Sequence, residues 1–249
     1  MTQLHDVVYI VCDQCSTISR FNATTHEQLT DIHAKGLRIP HYIVACEQTS
    51  QLYVADSWDE CVWRVSADGA DIKRWLTKSS SDTFSPTSLS VTSTRLLVTS
   101  RDSKHLTQFD SLGDELRRVQ LPDNMDPRHA VESPTTTFIV SHENMQLKQY
   151  QISEVNTDGQ VLRQFTSSRL SSLSWTQHIA IDSHGHVFVA DYSNRCILLL
   201  DAQLKLRRVI IDEHQLDYKR PWQLCYSEPT GQLLVGLDNR VAVFDVLRR

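Results

Sequence analysis

QHIAIDSHGHVFVADYSNRCILLLDA, residues 177–202, holds three strand signals in a row. His178-Ile-Ala-Ile-Asp182 alternates polar and apolar residues, and Ser183-His-Gly-His186 reverses the chain. Val187-Phe-Val-Ala-Asp191 is a β-prone apolar run that stops at an acid, and Cys196-Ile-Leu-Leu-Leu200 follows a polar loop. Short apolar runs bounded by turn residues, without 3.6-residue spacing, read as strands rather than helices.

The same pattern recurs along the chain. Its strongest element, the second strand of each unit, begins at Val8, Leu52, Leu96, Phe138, Val187 and Leu233, at separations of 44, 44, 42, 49 and 46 residues. Such a period suits a four-stranded propeller blade of about 40–50 residues and exceeds the ~33 of an ankyrin or tetratricopeptide unit. A Pro or its equivalent opens the first strand at Pro40, Pro86, Pro127, Thr176 and Pro221, a position where no ladder donor is required. Third strands are expected at 17–21, 61–65, 106–109, 147–152, 196–200 and 240–244, and fourth strands at 29–32, 72–76, 116–121, 161–165 and 206–211. The expectation is an all-β, six-bladed β-propeller forming one domain over residues 1–249, with blades near 1–36, 37–80, 81–122, 123–168, 169–215 and 216–249.

These residues resemble the NHL-repeat propellers, the type found in TRIM-NHL proteins. That family combines a Pro-opened inner strand, a second strand ending Val-Ala-Asp, a polar loop often holding Asn-Arg and an apolar third strand. Blade 5 matches through Val189-Ala-Asp191 and Asn194-Arg195, and blade 2 through Val54-Ala-Asp56; the other blades depart at the Asp. The ends are less regular, since only Met1–Asp6 precede the second strand of blade 1 and only Leu247-Arg-Arg249 follow the third strand of blade 6. Either Thr2–Leu4 pair at the seam of an imperfect ring or the domain is cut from a longer protein. The resemblance favours the second, because NHL rings commonly end larger chains.

Composition narrows the function classes. Hydrophobic residues at 40% with 22% charged are globular values, and no run nears the roughly 18 apolar residues of a membrane helix. Met1–Asp6 has neither a basic nor an apolar leader segment, so a cytoplasmic monomer away from membranes is expected. A net charge of −5 disfavours a surface built to neutralise phosphates, which makes RNA the less favoured partner. Six cysteines are too few for a disulfide scaffold. Their repeat-equivalent positions point to small core residues, although Cys12-Asp-Gln-Cys15 has redox or zinc spacing.

In this register the second residue after each opening Pro faces the channel mouth: Tyr42, Ser88, His129, His178 and Gln223, with His41 one residue out of phase. Amidating lyases with NHL-type propellers set three histidines around a channel metal. Here two are in register and no inner-strand carboxylate joins them, so ordinary channel histidines are expected, with no metal and no cofactor. Arg and Lys on the fourth strands, such as Lys73-Arg74 and Arg117-Arg118, form either a polyanion-binding ring or edge charges that discourage strand addition; the second is the better reading. No nucleophile elbow, phosphate loop, dinucleotide fingerprint or EF-hand occurs.

Large aromatics concentrate on the loops that enter the first strands and leave the second. Tyr42, Trp58, Trp175, Tyr192 and Trp222, with Arg128, His129 and His178, make up the expected partner surface. The sequence therefore points to a non-catalytic module that binds a protein or peptide. RNA binding and a metal-dependent lyase or hydrolase acting in the channel are the alternatives.

Overall fold

The computed structural model describes residues 1–12, 15–77, 84–166, 178–238 and 240–246. It is all-β, with six small antiparallel sheets in the blade arrangement of a six-bladed β-propeller. No helix occurs among the described residues, and none is therefore long and apolar enough to cross a membrane. The chain divides into two compact units, Met1–Val119 and Gln120–Arg249.

In the first unit, β1 (Thr2–Leu4), β2 (Val7–Val11), β3 (Thr17–Asn22) and β4 (Gln28–His33) form blade 1. Blade 2 is β5 (Pro40–Cys46), β6 (Gln51–Asp56), β7 (Cys61–Ser66) and β8 (Ile72–Thr77). Blade 3 is β9 (Pro86–Thr92), β10 (Arg95–Ser100), β11 (His105–Phe109) and β12 (Glu115–Gln120). In the second unit, β13 (Met125–Glu132), β14 (Phe138–Asn144), β15 (Gln149–Val155) and β16 (Val161–Thr166) form blade 4. Blade 5 is β17 (Ile179–Ile181), β18 (Val187–Asp191), β19 (Cys196–Leu200) and β20 (Leu206–Ile211). Blade 6 is β21 (Gln223–Ser227), β22 (Gln232–Gly236) and β23 (Val241–Asp245).

Neighbouring blades within each unit bury their apolar faces against one another. Leu4, Ile18, Ile43, Val54 and Trp63 join blades 1 and 2, while Tyr53, Leu89, Val98 and Phe109 help join blades 2 and 3. In the second unit, Ile152, Ile179, Val189 and Leu198 pack between blades 4 and 5, and Phe188, Ile197, Leu224 and Val235 between blades 5 and 6. Each such side chain taken from water contributes about 1.5–3 kcal/mol, and the cores lie between sheets because one blade has too little area to bury its own faces.

The short N-terminal strand belongs to blade 1. Thr2 lies opposite Tyr9 and Leu4 opposite Val7, and the Ala45 N–H of β5 donates to Thr2 Oγ1 at 3.1 Å. Blade 6, with three strands, is the irregular one among the described residues.

Three first strands share a device that the sequence conceals. Pro40 lies opposite Asp56 and Tyr42 opposite Ala55, so His41 is an extra residue; Thr87 and Arg128 are extra in the same way after Pro86 and Pro127. A bulge re-aims the inserted side chain and bends the strand, and a Pro beside it forfeits no ladder bond. Blade 4 departs further. Its strands extend two residues past the repeat, with Met125 paired to Asn144. Asn144 therefore caps the turn two residues beyond the aligned strand end: its Oδ1 accepts the Gln146 and Leu147 N–H groups at 3.1 and 3.0 Å. The longer hairpin also moves the third strand to Gln149–Val155, leaving Leu147 exposed.

The cysteines separate into three groups, with Cys225 half-buried. Cys46, Cys61 and Cys196 are buried, and burial pushes the Cys61 thiol up to about 12. Cys12 and Cys15 are exposed rather than core residues, because β2 ends at Val11 and the chain there has left the sheet.

Candidate functional site: an aromatic cluster on the loops of blades 5 and 6

The loop after β18 begins with Tyr192, and the loop before β21 ends with Trp222. Asp191 anchors the first loop by accepting the Asn194 backbone and side-chain N–H groups at 3.1 and 2.8 Å. The second loop, 212–222, is held by the fully buried Leu216, and Asp217 and Tyr218 both take positive φ, at 56° and 57°. Its far end is fixed where the Trp222 N–H donates to the Gly236 carbonyl at 2.8 Å.

These anchors bring Tyr192 and Trp222 together edge to face, with centroids 4.5 Å apart at 65°. The Trp222 indole N–H donates to Asp238 Oδ1 at 2.7 Å. Arg220 lies with its guanidinium 4.8 Å from the Tyr192 ring centre and donates to the Tyr192 hydroxyl at 3.0 Å. Tyr192 and Trp222 are half-buried, Arg220 is exposed, and Arg220 forms no ion pair among the described residues. Beside it, the exposed Tyr218 shares a hydrogen bond with His214 Nδ1 at 2.6 Å. The cluster therefore offers aromatic faces and a cation already in place, which lowers the ordering cost of taking up a ligand.

The other candidate residues occupy different surroundings. Trp58, in the first unit, is 63% exposed, with its backbone N–H held by Asp56 at 3.2 Å. Tyr42 is buried with Cys46, Tyr53 and Leu89 between blades 2 and 3. Trp175 lies outside the described residues. His129 and His178 are buried and stacked, 4.0 Å between ring centres at 25°. His129 Nδ1 accepts the Ile179 N–H at 3.4 Å, which puts the ring proton on Nε2, and burial drives the His178 pKa down to about 3. Among the described residues no group of three or more His, Cys, Asp or Glu is arranged to hold a metal ion.

Arg128 is the bulged residue of β13, and its Nη2 lies 3.1 Å from both Asp126 and Glu143. The same atom is 3.4 Å from the Tyr150 hydroxyl, whose pKa is raised by burial and pulled back down by Arg128. Arg128 thus neutralises two neighbouring carboxylates that are themselves little exposed. Replacing it by Met removes the cation and leaves the two acids facing each other, at an expected cost of about 2–3 kcal/mol. In a chain of this size that lowers Tm by roughly 5–10 °C. A thermal melt of Arg128→Met within a degree of the parent would show that the triad contributes nothing.

Sequence reasoning placed Tyr192 and Trp222 on one face but missed Arg220, whose signal was available in Arg220-Pro-Trp222, a cation two residues from an aromatic at a strand entrance.

No protein-family model matches the sequence, and no curated protein is similar to it. Solved structures do share the fold. A protein of unknown function from Bacteroides caccae superposes with a TM-score of 0.68 at 14% identity, over 91% of this chain and 81% of the other. Hydrazine synthase of Kuenenia stuttgartiensis superposes at 0.66 and 12% identity, over 98% and 94%. At such identities the likeness is one of fold.

Proposed function

We propose that this protein is an interaction module of NHL-like type that binds a peptide or protein partner without chemical conversion, using the Tyr192, Trp222 and Arg220 cluster. The observation that carries the reading is Arg220, an exposed guanidinium placed over an aromatic ring and ion-paired with no carboxylate among the described residues. Aromatic and Arg side chains supply most of the energy at protein interfaces because they bury large area with few rotors to freeze. A carboxylate-bearing segment with an apolar neighbour complements this pair.

RNA is less well suited, because the fourth-strand cations are largely compensated in place. Arg74 pairs with Asp59, Arg118 with Glu115, Arg163 with Glu154 and Arg207 with Asp201. Few counterions remain to be released, and their release drives phosphate binding.

The test begins with a partner identified by affinity capture and continues with both proteins purified. Arg220→Ala is expected to weaken binding at least tenfold, the loss of about 1.4 kcal/mol, while Tm moves by less than about 2 °C. Trp58→Ala, at a largely exposed position, reports whether the first unit also contributes. Unchanged affinity in Arg220→Ala together with unchanged affinity in a Trp222→Leu variant that folds would remove the cluster from the interface.

A further inference from the structure

Cys12 and Cys15 differ from the other cysteines in exposure and in spacing. Cys46, Cys61, Cys196 and Cys225 lie within strands and are buried or half-buried, whereas Cys12 and Cys15 are exposed in the connection between β2 and β3. A buried cysteine acts as a small apolar residue, and burial keeps its thiol protonated and unreactive, as the raised pKa of Cys61 illustrates. An exposed thiol stays open to reagents in water. The backbone also holds the exposed pair close. The Cys15 N–H donates to the Cys12 carbonyl at 3.3 Å, and a bond between residues three apart keeps their Cα atoms within about 7 Å. Disulfides span Cα separations of about 4.4–6.8 Å, so bridging these two residues requires no rearrangement of the sheet. Both flanks are anchored: Val11, before Cys12, lies opposite Ile18, and the carbonyl of Ser16, after Cys15, accepts the Ala34 N–H at 2.8 Å.

Two chemistries use this spacing, and the surroundings choose between them. Structural zinc takes four nitrogen or sulfur ligands, and among the described residues no group of three or more His, Cys, Asp or Glu is arranged to hold a metal ion. Two thiols complete a disulfide without further ligands. A ring that encloses only two intervening residues constrains little of the unfolded chain, and an exposed bond is accessible to attacking thiols. Such a disulfide belongs to the easily reduced class rather than the structural one.

We infer that Cys12 and Cys15 form a redox-active dithiol, which a low-molecular-weight disulfide of the glutathione type converts reversibly into an intramolecular disulfide. The thiolate of one cysteine attacks a sulfur of the small disulfide, whose S–S bond breaks; one small thiol leaves and a mixed disulfide remains on the protein. The second cysteine gives its proton to solvent and attacks the protein sulfur of that mixed disulfide. This closes Cys12 Sγ to Cys15 Sγ and releases the second small thiol. The protein loses two electrons and two protons, and the small disulfide gains both. The site belongs to the first unit and does not rest on the aromatic cluster of blades 5 and 6.

The probe is glutathione disulfide, applied in excess to the folded chain, followed by alkylation with N-ethylmaleimide and digestion with trypsin. Cleavage after Arg20 releases Met1–Arg20, which carries Cys12 and Cys15 and no other cysteine. In the oxidised protein this peptide is expected to take no maleimide, to carry no glutathione and to be about 2 Da lighter than the dithiol form, and dithiothreitol restores both thiols. Cys46, Cys61 and Cys196 are expected to react at least about tenfold more slowly with the maleimide. Cys12→Ser and Cys15→Ser, both surface changes, are each expected to stop at the mixed disulfide and to retain at least about tenfold more glutathione on the peptide than the parent does. The inference fails if the parent keeps glutathione on both residues, which would make them independent thiols, or if both still take maleimide after the oxidant. It also fails if a stoichiometric zinc ion, removable by chelator, shields the pair in the purified protein, which would make them metal ligands.

Discussion

Acidification from pH 7 to pH 4 is expected to remove most of the stability of this protein, through two histidines buried in the neutral form. His142, within β14, is nearly inaccessible; its Nε2 shares a hydrogen bond with Ser153 Oγ at 2.8 Å, and its Nδ1 has no partner among the described residues. Burial lowers its pKa to about 4, and burial lowers that of His178 to about 3. The unfolded chain protonates both rings near 6.5, so below that pH it binds more protons than the fold does. Stability is therefore complete above pH 6.5 and declines as pH falls toward the two folded values, by about 1.4 kcal/mol per unit for each ring. By pH 4 the loss is about 5–7 kcal/mol, comparable with the whole stability of an ordinary domain at about 5–15 kcal/mol. Asp110 and Asp201, whose carboxyls are held below the usual range chiefly by backbone N–H groups, act with the same sign but only below about pH 4. The interval from 6.5 to 4 thus belongs to the histidines. Urea titrations at pH 7, 5.5 and 4.5 check this, and His142→Gln is expected to halve the slope with pH. A stability that stays level to pH 4.5 would mean that these rings are solvated and charged in the folded protein.

Asp56→Ala is expected to be the most damaging substitution outside the apolar cores. The carboxylate at the end of β6 is fully buried and accepts four backbone N–H groups: Arg38 at 2.8 Å, Ile39 and Trp58 at 3.2 Å, and Asp59 at 3.4 Å. It thereby ties the loop entering β5 to the loop leaving β6. Alanine leaves these donors without an acceptor in a place water does not reach, at a cost of about 3–5 kcal/mol. Asn keeps one oxygen and is expected to recover about half of this. Chemical denaturation of both variants gives the comparison; a loss under 1 kcal/mol for Asp56→Ala would show that the loops rearrange to satisfy themselves. The acid of Val-Ala-Asp is on this account an architectural residue, and Asn144 plays the corresponding part in blade 4, where its Oδ1 accepts the Gln146 and Leu147 N–H groups.

Much of the architecture was legible because its causes are local. Period-two alternation, proline at strand entrances and polar turns lie within a few residues of one another, and β19 and β20 fall on the residues read from the sequence. Blade 4 was misread where an added pair of residues lengthened its hairpin without disturbing the apolar pattern, so His142 took the place in the alignment that Asn144 fills in space. The candidate site was legible in part. Tyr192 and Trp222 were identifiable from their loop positions, while Tyr42 and Arg128 were assigned a common exposure that their environments do not share.

By itself, then, the sequence determined six antiparallel units, their strand order and the loops on which the aromatic residues fall, since each is dictated by spacing along the chain. Only the tertiary structure decided what each side chain touches: the stacking of His129 on His178, the clasp of Arg128 on Asp126 and Glu143, and the seating of Arg220 over Tyr192. Those contacts depend on bulges that shift register by one residue and on faces brought together across tens of residues. A one-residue shift turns a side chain from one face of a strand to the other, a change that hydropathy along the chain does not record.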